Sequence, residues 1–185
     1  MASDKELSDF LASVEKRAFK RSLYHVRDEE AALDIVQESM MKLAENYGDK
    51  PAAEWPLLFQ RILSNCTLDW FRRRKTRSAL FLNFSDLGEA ADGDDFDILD
   101  IMDAGDSAQS AQDLYSRTQT VQEIESAVQK LPGRQREAFL LRYWEELDVA
   151  ETAAAMGCSE GSVKTHCSRA IQALSKALTA KGIKP

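Results

Sequence analysis

Histidine is almost absent from this chain: His25 and His166 are the only two in 185 residues. Catalysis that relies on an imidazole base therefore has few places to sit. Cysteine is sparse as well, and Cys66, Cys158 and Cys167 show no C-x-x-C spacing. An odd number of cysteines cannot all pair within one chain, which fits a reducing compartment. Cys158, His166 and Cys167 have no familiar metal-ligand spacing, so neither a metal nor another cofactor is expected. No glycine-rich phosphate loop and no G-x-S-x-G motif is present. No stretch approaches the ~20 apolar residues of a membrane span, and the start "MASDKELSDF" has no apolar signal region. The expectation is a soluble cytoplasmic protein that does not insert in membranes and is not an enzyme.

Positive charge is missing from one whole segment. Between Asp86 and Asp113 there are 10 acidic residues and no basic one. The residues before it carry net +1 and those after it net +2, against −7 for the chain. The acidity thus belongs to one segment, which flanking blocks of slightly basic character enclose. Rich in Asp, Gly, Ala and Ser, that segment is too polar to build a core and reads as a flexible linker, with "FDILDIM" as a weak docking stretch.

Strand-like alternation is lacking too, and what remains is helical. "SDKE" at Ser3–Glu6 is a capping box opening a helix that can run to Val26. Asp28 can cap the next, in which Leu33, Val36, Met40, Leu43 and Tyr47 form one face and Gly48 a stop. Trp55, Phe59, Ile62, Cys66 and Trp70 stripe a third helix, from Glu54 to Lys75. The C-terminal block reads as four: Val121–Leu131, Gln135–Leu147, Val149–Met156, and one from Ser159 to Leu178. The spacing predicts an all-α protein of two small helical domains, 1–80 and 119–181, joined by a flexible acidic linker at 81–118.

The last two helices have the organisation of a helix-turn-helix. An Ala-rich helix allows close approach, Gly157 supplies the turn, and Ser159 caps the second helix. Val163, Cys167, Ala170 and Leu174 step by 4, 3 and 4 as its buried stripe. Lys164, Thr165, Ser168, Arg169 and Gln172 then point outward, with His166 at the margin. These side chains suit phosphates and base edges in a major groove. The plain alternative is a helical hairpin with a solvated polar face.

The N-terminal block carries a second polar row. Arg61, Asn65, Asp69 and Arg72 follow one side of the third helix, which ends in "RRRKTR", five basic residues in six positions. Asn65 can bond a base edge, and Asp69 can pair with Arg73 at i, i+4. Trp70 lies on the apolar stripe and reads mainly as core. Asp34, Gln37, Glu38, Met41 and Glu45 lie away from the core of the second helix, as a solvated face or a docking face for a basic partner.

With these motifs in order, the chain resembles bacterial RNA polymerase sigma factors of the extracytoplasmic-function group, which keep two domains called region 2 and region 4. "DIVQESMMKL" (Asp34–Leu43) is similar to the region 2 helix that binds the polymerase clamp. "LFQRILSNCTLDWFRRRKTR" (Leu58–Arg77) is similar to the helix that meets the −10 element. Leu131–Leu174 is similar to region 4. Pro56, Ala44 and Glu45, and the absence of Ile from "LDVAETAAAM" depart from the family pattern. The resemblance implies core polymerase binding by Asp34, Gln37, Glu38 and Met41. It implies −10 contacts by Asn65, Asp69, Arg72, Arg73 and Arg74, aided by the loop from Asn46 to Glu54. It implies −35 contacts by Lys164, Thr165, His166, Ser168 and Arg169. The partners it implies are core RNA polymerase, promoter DNA both double-stranded and melted, and an anti-sigma factor. The linker would pass through basic channels of the polymerase. A regulator that binds operators directly through its helix-turn-helix stays open as an alternative, as does an enzyme.

Overall fold

The computed structural model describes residues 3–81 and 111–184, with side chains over 3–77 and 116–184. Regular structure among them is helical: α1 Asp4–Val26, α2 Glu29–Tyr47, α3 Trp55–Phe81, α4 Ala111–Gln129, α5 Gly133–Phe139, α6 Val149–Met156 and α7 Glu160–Ala180. A short 3-10 turn at Ala52–Glu54 leads into α3. Positions 82–110, most of the acidic segment including "FDILDIM", lie outside the described residues.

The helix starts follow the cap chemistry. The Glu6 N–H donates to Ser3 Oγ at 3.2 Å, and the Ser3 N–H donates to Glu6 Oε2 at 2.7 Å. The Ala31 N–H donates to Asp28 Oδ1 at 2.9 Å and starts α2. Gly48 ends α2 for a different reason than a left-handed turn. Its φ is −59°, and a Cβ there would sit 2.7 Å from the Ala44 carbonyl oxygen.

The first core joins α1, α2 and α3. Trp55, Phe59, Leu63, Leu43, Ile35 and Val36 are all but sealed from water. Phe10 meets Phe59 edge-on at 6.2 Å between centroids, a favoured aromatic geometry. The Trp55 indole N–H donates to the Tyr47 carbonyl at 3.0 Å, which satisfies a helix-end acceptor and fixes the α2–α3 turn. The rotation of α2 differs from the expected one. Leu33 is 48% exposed, while Ala32 and Ser39 are buried. The Ser39 hydroxyl donates to the Ile35 carbonyl at 2.6 Å, so a polar residue enters the core at little cost.

The second core joins α4 to α7. Ala138, Leu141, Ala155, Met156, Val163 and Cys167 form one cluster; Val128, Leu131, Leu140, Ala170 and Leu174 form another. The α4 helix begins at Ala111 rather than Val121, inside the stretch expected as linker. The α5 helix does not run evenly to Leu147. Leu140–Trp144 is a π-helical turn, with the Glu145 N–H donating to the Leu140 carbonyl at 3.0 Å. Glu146 then adopts φ 57° and breaks the chain direction.

The two cores touch: α1 meets α4 and α5, and α3 lies against α6. Tyr24 of α1 is part of the α4–α7 cluster. His25 is buried at the same seam. A cation at a helix C-terminus gains only about 0.3–1 kcal/mol. Burial, then the nearby Arg21 and Arg136 charges, oppose it and hold the imidazole pKa well below 6.5. Folded His25 is therefore neutral, whereas unfolded His25 takes a proton below about pH 6.5. Stability from this group is complete above that pH and falls as pH drops below it. Lowering pH from 7.5 to 5.5 is expected to cost on the order of 1 kcal/mol. Thermal unfolding followed by circular dichroism should show that drop, and His25→Gln should flatten it.

Candidate nucleic-acid interface

In α6 and α7 the chain builds a protruding polar row on a rigid base. Asp148 caps α6 by accepting from the Glu151 N–H at 2.7 Å, and Glu151 reaches back to the Asp148 N–H at 2.9 Å. Gly157 ends α6 with φ 62°, a left-handed backbone that glycine adopts without strain. The Gly157 and Cys158 N–H groups both converge on the Ala153 carbonyl. Ser159 then caps α7, accepting from the Ser162 N–H at 3.2 Å. Val163, Cys167, Ala170 and Leu174 face the core as expected. Lys164, Thr165, Ser168, Arg169 and Gln172 are exposed. His166 differs: it is half-buried, and its Nδ1 is enclosed without a protein partner.

The α6–α7 unit is fastened to α5 by Arg134. Its guanidinium donates to Glu137 Oε2 at 2.9 Å and to the Met156 carbonyl at 3.0 Å, the latter at the C-terminus of α6. Burial raises the pKa of the Cys167 thiol, which keeps that residue an apolar filler rather than a thiolate.

On α3 the apolar stripe fixes which residues face out. Arg61, Asn65, Arg72, Arg73 and Arg74 are exposed and Asp69 is half-buried. Asp69 pairs with Arg72 at 3.2 Å, not with Arg73 as its i, i+4 spacing suggests. Arg73 instead lies 3.9 Å from Glu38 of α2. Trp70 is half-buried beneath Arg74, whose guanidinium carbon lies 5.2 Å from the ring centroid. The cation is thereby held over an aromatic face.

On α2, Asp34, Gln37 and Met41 are exposed and Glu38 is half-buried. Glu38 also pairs with Lys42 at 2.7 Å and raises the Lys42 pKa. Glu38 is thus held between two cations, while Asp34 and Gln37 present free polar ends. Leu33 joins Gln37 and Met41 at i, i+4, i+8 as an exposed apolar member of the row. Sequence reasoning put it in the core, and only the burial of Ser39 reveals the rotation.

A two-domain helical protein with a helix-turn-helix and a separate basic helix end is the class this geometry defines. Residues 121–174 match the family model described as Sigma-70, region 4. The RNA polymerase sigma-E factor of Streptomyces coelicolor is 42% identical over 53 residues, 29% of this chain and 30% of that one. The match to the ECF RNA polymerase sigma factor SigX of Bacillus subtilis is 27% over 159 residues, covering 83% of this chain and 73% of SigX. The ECF sigma factor EcfG of Rhodopseudomonas palustris is 28% identical over 182 residues, 97% of this chain and 88% of that one. The fold matches the sigma factor RpoE of Bartonella quintana, solved in complex with the anti-sigma factor NepR. That match has a TM-score of 0.65 at 22% identity and covers 95% of this chain and 98% of that one. Residues 121–174 thus match sigma-70 region 4, and over most of its length the chain is similar to extracytoplasmic-function RNA polymerase sigma factors, although it spans under a third of the length of the Streptomyces coelicolor relative.

Arg134→Ala leaves the buried Glu137 carboxylate and the Met156 carbonyl without their donor. The expected cost is about 1–3 kcal/mol. Adding Glu137→Gln should recover part of it, because the unpaired charge is gone. Urea unfolding of the single and double variants measures both.

Proposed function

We propose that this chain binds core RNA polymerase and directs initiation at promoters carrying −10 and −35 elements. Residues 3–81 act as region 2 and residues 111–181 as region 4. The carrying observation is the alternation along α7: Val163, Cys167, Ala170 and Leu174 are buried while Lys164, Thr165, Ser168 and Arg169 are exposed. A helix held in that rotation presents a base-reading row on its first turns, with Ile171 exposed beyond it. In this reading Arg169 and Lys164 take guanine edges or phosphates, and Thr165 and Ser168 take bases or backbone. His166 contributes from the edge of the row.

Asn65 reads a base of the −10 element, helped by residues 46–54, of which Asn46 and Tyr47 belong to the end of α2. Asp69 is a positioning residue that orients Arg72. Arg72, Arg73 and Arg74 hold phosphates, a role their exposure and charge support. The ion pairs they make here are surface pairs worth about 0–1 kcal/mol, so DNA can displace them. Asp34, Gln37, Glu38 and Met41, joined by Leu33, dock on the polymerase. An exposed apolar centre with an acidic margin suits a complementary basic surface. Phosphodiester chemistry belongs to the polymerase, and the protein works in the cytoplasm where polymerase and DNA are. By likeness to the Bartonella complex, an anti-sigma factor covers these faces until a signal removes it.

Run-off transcription over a genomic DNA library, with core polymerase and this chain, tests the reading and yields the promoter sequence. Transcripts should share paired upstream elements, and none of these transcripts should appear without the chain. Arg169→Ala should lower −35-dependent output by about 1–3 kcal/mol, roughly five- to 150-fold. DNA binding in the absence of core polymerase, with no transcripts, would instead favour a directly acting regulator.

A further inference from the structure

The side chains on the outer row of α7 differ in hydrogen-bonding sense. Lys164 and Arg169 carry donors and no acceptor. Thr165 and Ser168 each carry a hydroxyl, which has one proton to give and lone pairs that receive. The fold separates these two. The Thr165 hydroxyl donates to the Gly161 carbonyl, one turn back in α7, at 3.0 Å. A carbonyl oxygen can only accept, so the Thr165 proton lies along that line. Ser168, three residues on and on the same face, makes no hydrogen bond among the described residues. Both side chains are exposed.

Left free, a hydroxyl reads DNA ambiguously. In the major groove adenine N6 and cytosine N4 donate, whereas guanine O6 and thymine O4 accept. A hydroxyl free to turn satisfies either kind, and Ser168 is in that state. The Thr165 oxygen has committed its proton within the helix and keeps only lone pairs for a base. Against an amino group it accepts a bond. Against a keto oxygen two acceptors meet. Turning the proton outward to suit a keto base gives up the Gly161 bond, a loss comparable to the bond it would make.

We propose that Thr165 makes one position of the −35 element selective for amino over keto bases, by accepting from the exocyclic amine of an adenine or cytosine on the contacted strand. Lys164 and Arg169, as donors, serve the complementary class: guanine edges and phosphates. The bond to Gly161 turns a residue type that is indifferent in general into a selective one, and Ser168, without such a bond, stays indifferent. The inference rests on the promoter reading above and adds to it the chemical class of base that one residue takes.

The test uses the full chain with core polymerase on a promoter found by run-off transcription. Each base of its −35 element is replaced in turn by the other three, and transcript output is measured. With the unaltered chain, one position should favour adenine and cytosine over guanine and thymine by roughly three- to tenfold. Thr165→Val keeps the side-chain shape and removes the hydroxyl, so the amino–keto difference at that position should vanish. Thr165→Ser can make the same bond to Gly161 and should retain it. Ser168→Ala should leave that difference in place, whatever it does to total output. Circular dichroism checks that helix content is kept; Thr165→Ser against Thr165→Ala gives the same comparison if Thr165→Val loses it. A difference that survives loss of the hydroxyl, or a position where Thr165 instead favours keto bases, overturns the proposal and leaves the promoter reading standing. Output indifferent to every −35 replacement overturns the promoter reading, and the proposal falls with it.

Discussion

The guanidinium of Arg136 is the interaction on which the arrangement of this protein depends. It is buried, and it donates to the carbonyls of Val128, Gln129 and Leu131 at 3.2, 2.6 and 2.7 Å. Those carbonyls lie at and just past the end of α4, where the last C=O groups of a helix have no N–H donors of their own. Its remaining bond goes to the His25 carbonyl, at the end of α1. Burial, then Arg27, pulls its pKa down to about 10, so it stays charged at neutral pH. Removing such a charge from water is expensive, but charge-assisted bonds of about 1.5–3 kcal/mol each offset it. A lysine has no planar fork to serve four carbonyls at once. One side chain thus ends α4, aims the α5–α7 unit that carries the helix-turn-helix, and ties it to the other domain.

Around that tie, each exposed row is set by a buried one. The rotation of α7 follows from Val163, Cys167, Ala170 and Leu174, and that of α3 from Trp55, Phe59, Leu63 and Cys66. Neither polar row needs bonds to its neighbours to hold its direction. The surface pairs that do form, Asp69 with Arg72 and Arg73 with Glu38, are weak and exchangeable. Under the proposed function, in which the protein trades solvent for polymerase and DNA, such an arrangement is an advantage. Its rigid parts are apolar, and the parts that meet partners cost little to disengage. The basic end of α3 sits in an acidic protein without conflict, because the acidity is concentrated in Asp86–Asp113.

Much of this was legible in the sequence where cap chemistry and apolar period agree. The Ser3–Glu6 box, the Asp28 and Ser159 caps, the Gly157 turn and the α7 stripe all read directly. The rotation of α2 did not, because apolar spacing cannot see that Ser39 bonds to the Ile35 carbonyl and so enters the core. Leu33 was lost to the candidate polymerase face for that reason. The first turns of α4 were hidden by their polar composition. The π-helical turn at Leu140–Trp144 has no local signature. Buried charges are the deepest gap: Arg21, His25 and Arg136 look like surface residues in any pattern, and of these Arg136 crosses the domain seam to the His25 carbonyl.

The central claim is that two rows on separate domains read DNA about 25 base pairs apart, and only with the polymerase. A hydroxyl-radical footprint of the complex of this chain, core polymerase and a promoter found by run-off transcription measures this directly. The account predicts two protected patches at that separation, both lost when core polymerase is omitted. A single patch, or full protection by the chain alone, would contradict it.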